Sequence, residues 1–166
     1  MKNKLELKTL QAELGESLAL VKDWEKNYEL ISVKITQIAP DQFDYAGLGY
    51  TIHNLYNAME NSFYRIARHF ENNIDKTMFH KDLLRRMAIE INDVRPSIIS
   101  KETYLLIDEL RAFRHAYRHI YENGLDTEKL LGISAKVPAA LSGYYRDLAG
   151  FTDFLNNLEE SWDETI

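Results

Sequence analysis

Apolar residues recur at intervals of three or four along most of the chain. Leu7, Leu10, Leu14, Leu18, Val21, Trp24, Tyr28, Ile31, Ile35 and Ile38 draw one unbroken stripe, which predicts a first helix over 4–38. Pro40 ends it. At about 1.5 Å per residue this rod would be on the order of 50 Å long, so it needs long partners. Leu48, Ile52, Leu55, Met59, Phe63, Ile66 and Phe70 repeat the pattern and predict a second helix over 45–70. His53, Asn57, Glu60 and Tyr64 form a polar stripe on the same cylinder. That stripe is either a solvated or interface face, or it turns Asn57 and Glu60 toward a basic segment later in the chain.

Residues 71–79 read as a turn, and a short helix near 80–91 points Leu83, Leu84, Met87 and Ile91 inward. Its Arg85 and Arg86 are either solubilising surface or an extension of a substrate track. A loop over 92–99 contains Arg95-Pro96-Ser97. Ser100 caps the next helix, which runs to about residue 121, and Asn123-Gly124 stops it. Asp126 caps a further helix, interrupted near Pro138. Leu141, Tyr144, Leu148, Phe151, Leu155 and Leu158 then share one face of a last helix. With only 7 Gly and 3 Pro there are few places to turn, so the pattern implies an all-α fold, an antiparallel four- to five-helix bundle, in a single domain over 1–166.

Composition narrows the setting. No apolar run approaches the roughly 20 residues that a membrane span requires. The start of the chain is amphipathic at once and carries no secretory core, so a cytoplasmic protein is expected. The chain has no cysteine, which removes disulfides and thiolate metal sites.

Charge changes the picture most. The chain carries a net −6, yet RAFRHAYRHIY, residues 111–121, holds three arginines, two histidines and two tyrosines with no carboxylate. A basic, histidine-bearing island on an acidic protein suits one or two phosphates beside a proton-transfer group better than general nucleic-acid adhesion. On a helical wheel Leu106, Phe113, Ala116, Tyr117 and Ile120 fall on one side and are expected in the core. Arg114, Arg118, Arg111, His115 and His119 fall on the opposite side, across an arc of roughly 140°. Arginine binds phosphate through two parallel hydrogen bonds and stays charged, while histidine exchanges protons near neutrality. In RNA the nucleophile is already present as the 2′-hydroxyl. A solvated or salt-bridged face is the plain alternative. A metal held by His115 and His119 with Asp108 or Glu122 is disfavoured by three arginines in the same arc, and a membrane-surface helix by the need for its apolar side in the core.

Arg114, four residues, His119, one residue and Tyr121 match the R-x4-6-H-x-Y signature, and the chain resembles the HEPN-domain toxins, the HepT-like ribonucleases. The wider order agrees: a long first helix, a second containing LGYTIHNLYNAMENSFYRIA, an RPSIIS loop, a motif helix with FRHAYRH and a final amphipathic helix. Arg111, His115 and Tyr117 form a second set, one residue too short. The resemblance implies a helical homodimer whose motif helices face one cleft. It also implies metal-independent endoribonuclease activity without a cofactor. Arg114 would bind the phosphate and His119 would be catalytic. Arg111, His115 and Arg118 would contact substrate, with Asn57 and Glu60 orienting the arginine or histidine. Tyr121 would be the site at which a cognate minimal nucleotidyltransferase antitoxin adenylylates the toxin. The alternative is a non-catalytic HEPN interaction or nucleotide-binding module.

Overall fold

The computed structural model describes residues 4–37, 39–71, 80–118 and 124–163, without the side chains of Arg118 and Asp163. Four long helices form the frame: α1, Lys4–Gln37; α2, Gln42–Phe70; α4, Lys101–Arg118; and α6, Val137–Asp163. Each touches the next around a closed ring, α1 to α2, α2 to α4, α4 to α6 and α6 back to α1. Two eight-residue helices, α3 (His80–Met87) and α5 (Thr127–Ser134), both pack against α2 and α4. The fold is the all-α bundle that the periodicity implies. No helix among the described residues is long and apolar enough to cross a membrane.

The core lies inside the ring. Leu7, Leu10, Leu14 and Val21 of α1 meet Ile52, Leu55, Met59 and Phe63 of α2, and Tyr144, Leu148 and Leu155 of α6 close the layer, all buried. Each buried aliphatic side chain contributes about 1.5–3 kcal/mol, so the stripe rather than any single contact holds α1 down.

The helix boundaries follow local chemistry. α2 starts three residues before the expected Tyr45, because Asp41-Gln42-Phe43-Asp44 forms a capping box. Asp41 accepts from the amides of Phe43 (2.8 Å) and Asp44 (3.0 Å), and Asp44 accepts from the Asp41 amide (3.0 Å). Asp44 also pairs with Lys34 at 2.5 Å, pinning the α1–α2 hairpin. The hydrogen bond and charge of Lys34 hold the Asp44 carboxyl below its usual range. Ser100 and Asp126 cap α4 and α5 as expected, accepting from the amides of Thr103 (3.1 Å) and Lys129 (3.1 Å). The expected interruption near Pro138 falls at residues 135–136, between α5 and α6, and not at the proline itself. Pro138 sits in the first turn of α6, where no intrahelical bond needs its missing N–H.

α3 stops at Met87, short of the expected end near 91, because the Met87 carbonyl is taken by the amides of Ile98 (2.8 Å) and Ile99 (3.2 Å). The following loop is organised around Arg95. Its guanidinium, wholly buried, donates to Glu71 (2.7 Å) and to the carbonyls of Ile89, Pro96 and Arg86 at 3.0–3.2 Å.

Candidate active site

α4 is held in its phase by three wholly buried residues, Thr103, Ile107 and Leu110. Arg114 continues that line one turn beyond Leu110. The motif arginine therefore lies on the side of α4 that meets α2, not on the far side from the core. This corrects the wheel drawn from sequence: Leu106, Phe113 and Tyr117 are only partly buried, and Ala116 is exposed. The sequence carries two adjacent apolar lines on this helix, 103/107/110 and 106/113/117, and the inward centre falls on the first. Ile120, which the wheel also put in the core, lies outside the described residues.

At the α2–α4 seam the Arg114 Nε donates to Asn57 Oδ1 at 2.6 Å. The guanidinium carbon stands 5.9 Å from the centre of the Tyr56 ring, within cation–π range. Asn57 is neutral, so it fixes the arginine without cancelling its charge. The terminal nitrogens of Arg114 keep their fork geometry, the one that matches phosphate. Arg111 is placed differently. It donates to Asp108 at 2.6 Å within its own helix, and that hydrogen bond and charge hold its pKa above the usual value against the opposing effect of burial. Part of its charge is thus already balanced.

Tyr56 is wholly buried and donates to Glu60 at 2.9 Å. Burial first, then the neighbouring Glu60 charge, push its hydroxyl far above the usual tyrosine range, while Arg114 and Arg111 pull the other way. The same Glu60 oxygen is hydrogen-bonded to Nδ1 of His80, the first residue of α3. Glu60 is thus engaged by Tyr56 and His80, while Arg111 and Arg114 bond to Asp108 and Asn57. Tyr117 packs against α2, its ring 5.6 Å from that of His53 and tilted 36° to it. Gly49 makes room for it, since a Cβ there would come within 2.7 Å of the ring.

Of the residues singled out from sequence, the structure brings Arg114 and Asn57 together, with Arg111 beside them. His115 is exposed. The Arg118 side chain, His119 and Tyr121 lie outside the described residues. Arg86 is engaged by Glu71, while Arg85 is exposed. Two participants escaped the sequence reading, Tyr56 and His80. The spacing of Tyr56 and Glu60, i and i+4 on one helix, could have signalled the first; nothing local could have signalled the second, which arrives from another helix.

No curated protein and no solved structure is significantly similar to the chain. Residues 47–155, which span most of α2 to most of α6 and include both Arg114 and Asn57, match the family model described as HepT-like protein, and the chain belongs to that HepT-like family.

Proposed function

We propose that the protein is the toxin of a HEPN and minimal-nucleotidyltransferase pair, a metal-independent endoribonuclease that acts as a homodimer. The observation that carries this reading is the arginine fixed by a neutral amide: Arg114, oriented at 2.6 Å by Asn57, keeps its charge for an anion. Guanidinium groups set in advance where negative charge develops are worth several kcal/mol in a phosphoryl transition state.

In this reading His119 removes the 2′-hydroxyl proton and the 2′-oxygen bonds to the adjacent phosphorus. The P–O5′ bond breaks, and His119 of the second copy protonates the departing 5′-oxygen. Arg114, assisted by Arg111 and Arg118, balances the charge on the phosphorane, and His115 positions the strand. The products are a 2′,3′-cyclic phosphate and a 5′-hydroxyl. Adenylylation of Tyr121 by the antitoxin would add a bulky anion that excludes substrate by size and repulsion.

The test is digestion of RNA by purified protein in excess chelator, wild type against His119→Ala. Cleavage to cyclic-phosphate ends is expected, with the variant slower by about 10²–10⁴-fold. Equal rates for the two proteins, or no cleavage by either, would remove the nuclease assignment.

A further inference from the structure

A groove of 510 Å³ runs over α2 between α1 and α3. Its floor is a row of side chains at intervals of three and four: Asn54, Asn57, Asn61 and Tyr64. Trp24 of α1 forms one wall and His80 of α3 the other. Nothing in the family assignment or in the proposed chemistry accounts for this surface.

Its chemistry is specific. Three primary amides in a row present both donors and acceptors and carry no net charge. Asn57 spends its oxygen on Arg114 and Asn54 spends its amide nitrogen on the Tyr50 carbonyl (2.8 Å), so the floor offers a donor from the first and an acceptor from the second. The Glu60 carboxylate also lines the groove and repels a phosphate there. Aromatic walls with paired donors and acceptors are what an unstacked base requires, and an asparagine amide is the natural complement of adenine. The volume is ample for one base. Asn57 belongs to both features: it lines the groove and fixes Arg114, so groove and guanidinium are one side chain apart.

We propose that this groove is a base-recognition subsite, taking an adenine of the RNA strand next to the phosphate that Arg114 grips. The subsite rests on the RNA-cleaving reading for its substrate but not for its test. Trp24 supplies the stacking surface, and Asn61, with Asn54, supplies the hydrogen bonds that select the base.

The experiment uses the full chain carrying Trp162→Phe, which leaves Trp24 as the only tryptophan. Adenosine is titrated against its fluorescence, with uridine alongside. Saturable quenching by adenosine is expected, about tenfold tighter than by uridine, the low range for one amide–base pair. Asn61→Ala and Asn61→Asp, at a partly exposed position, should each weaken adenosine about tenfold with unchanged helical circular dichroism. Short RNAs with and without a single adenine form the second arm. The adenine-containing strand should bind tighter than adenosine and lose that advantage in Arg114→Ala. Absence of quenching, quenching that ignores both Asn61 variants, or adenosine binding as tightly as the strand regardless of Arg114 would each overturn the proposal. A protein that cleaves nothing yet binds RNA in an adenine-dependent way would fail the nuclease reading and keep this one. An active nuclease indifferent to adenine would do the reverse.

Discussion

Asn57 holds Arg114 through a single 2.6 Å hydrogen bond across the α2–α4 seam, with a neutral oxygen as the acceptor. A carboxylate in that place would hold the arginine more tightly and also neutralise it. The seam thus favours orientation and an open charge over maximal pairing, which is sensible where an incoming phosphate supplies the missing negative charge.

That choice can be reversed by one atom. Asn57→Asp should leave the melting temperature equal or raised, because the pair becomes charge-assisted. RNA affinity should fall about tenfold, and the slope of log affinity against log salt should shrink by about one phosphate contact. Asn57→Ala should instead cost about 1 kcal/mol of stability through the lost hydrogen bond. Binding measured across a salt series separates the two. An Asp variant with wild-type affinity and slope would mean that Arg114 does not contact the strand.

Gly49 and Tyr117 form the second joint of the same seam. An added methyl at Gly49 would lie 2.7 Å from Tyr117 Cε2 and 3.2 Å from Cδ2, so the ring must swing off α2. Two effects oppose each other in Gly49→Ala. Alanine favours the helix by about 1 kcal/mol, and overpacking costs about 1–3 kcal/mol. The net loss should be about 0–2 kcal/mol. In Tyr117→Leu the clash is absent, so the same Gly49→Ala change should stabilise. Urea denaturation of the four proteins in a double-mutant cycle measures the coupling, expected at about 1–3 kcal/mol. Additive effects would show that the ring is not wedged against this glycine.

How far these features could be read from sequence depends on where their determinants lie. The α1 and α6 stripes are legible over the described residues, because one apolar face with regular spacing has only one way to turn inward; Ile38, the last member of the α1 stripe, lies outside them. So are the Ser100 and Asp126 caps, whose donors sit three residues away. α4 misled the wheel because it packs against neighbours on more than one side. Its two apolar lines differ by a fraction of a turn, and only α2 decides that Ile107, Leu110 and Arg114 share the inward line. The sequence places Arg95 in a loop, as found, but not its burial, because its partner Glu71 is 24 residues away. His80 was invisible for the same reason, since its carboxylate partner belongs to another helix.

α1 is also joined to α5 by one buried hydroxyl. Tyr28 donates to the Ser134 carbonyl at 2.6 Å and lies 3.1 Å from its hydroxyl oxygen. Tyr28→Phe leaves the volume unchanged and strands a buried acceptor. The expected cost is about 1–3 kcal/mol, a fall in melting temperature of roughly 2–4 °C for each kcal/mol. RNA cleavage should be unaffected, because the bond lies away from the Arg114 seam. A phenylalanine variant that melts with the wild type would show that the Ser134 carbonyl finds another donor.

Part of the acidic limb of stability should trace to Glu71, beside the likewise depressed Asp44 and Asp147. Its carboxylate, about 10% exposed, receives Arg95 at 2.7 Å together with Arg86, while the Arg95 side chain is wholly buried. Burial alone would raise the Glu71 pKa; the hydrogen bonds from Arg95 and Arg86 outweigh it and hold the carboxyl below its ordinary 4.5. A carboxyl depressed in the folded state contributes stability that is complete above its unfolded value and disappears as pH falls through the folded one. Glu71→Gln should therefore destabilise the protein at pH 7. Arg95 keeps three carbonyl acceptors, which places the loss at about 2 kcal/mol, under the range for a buried charge left wholly unpaired. The gap between wild type and variant should stay constant down to about pH 5 and close progressively below it, as Glu71 itself becomes neutral. Chemical denaturation at half-unit steps from pH 7 to pH 3 reads this directly. A gap that persists undiminished at pH 3 would mean that the geometry of the Arg95 loop, rather than the Glu71 charge, secures the turn between α3 and α4.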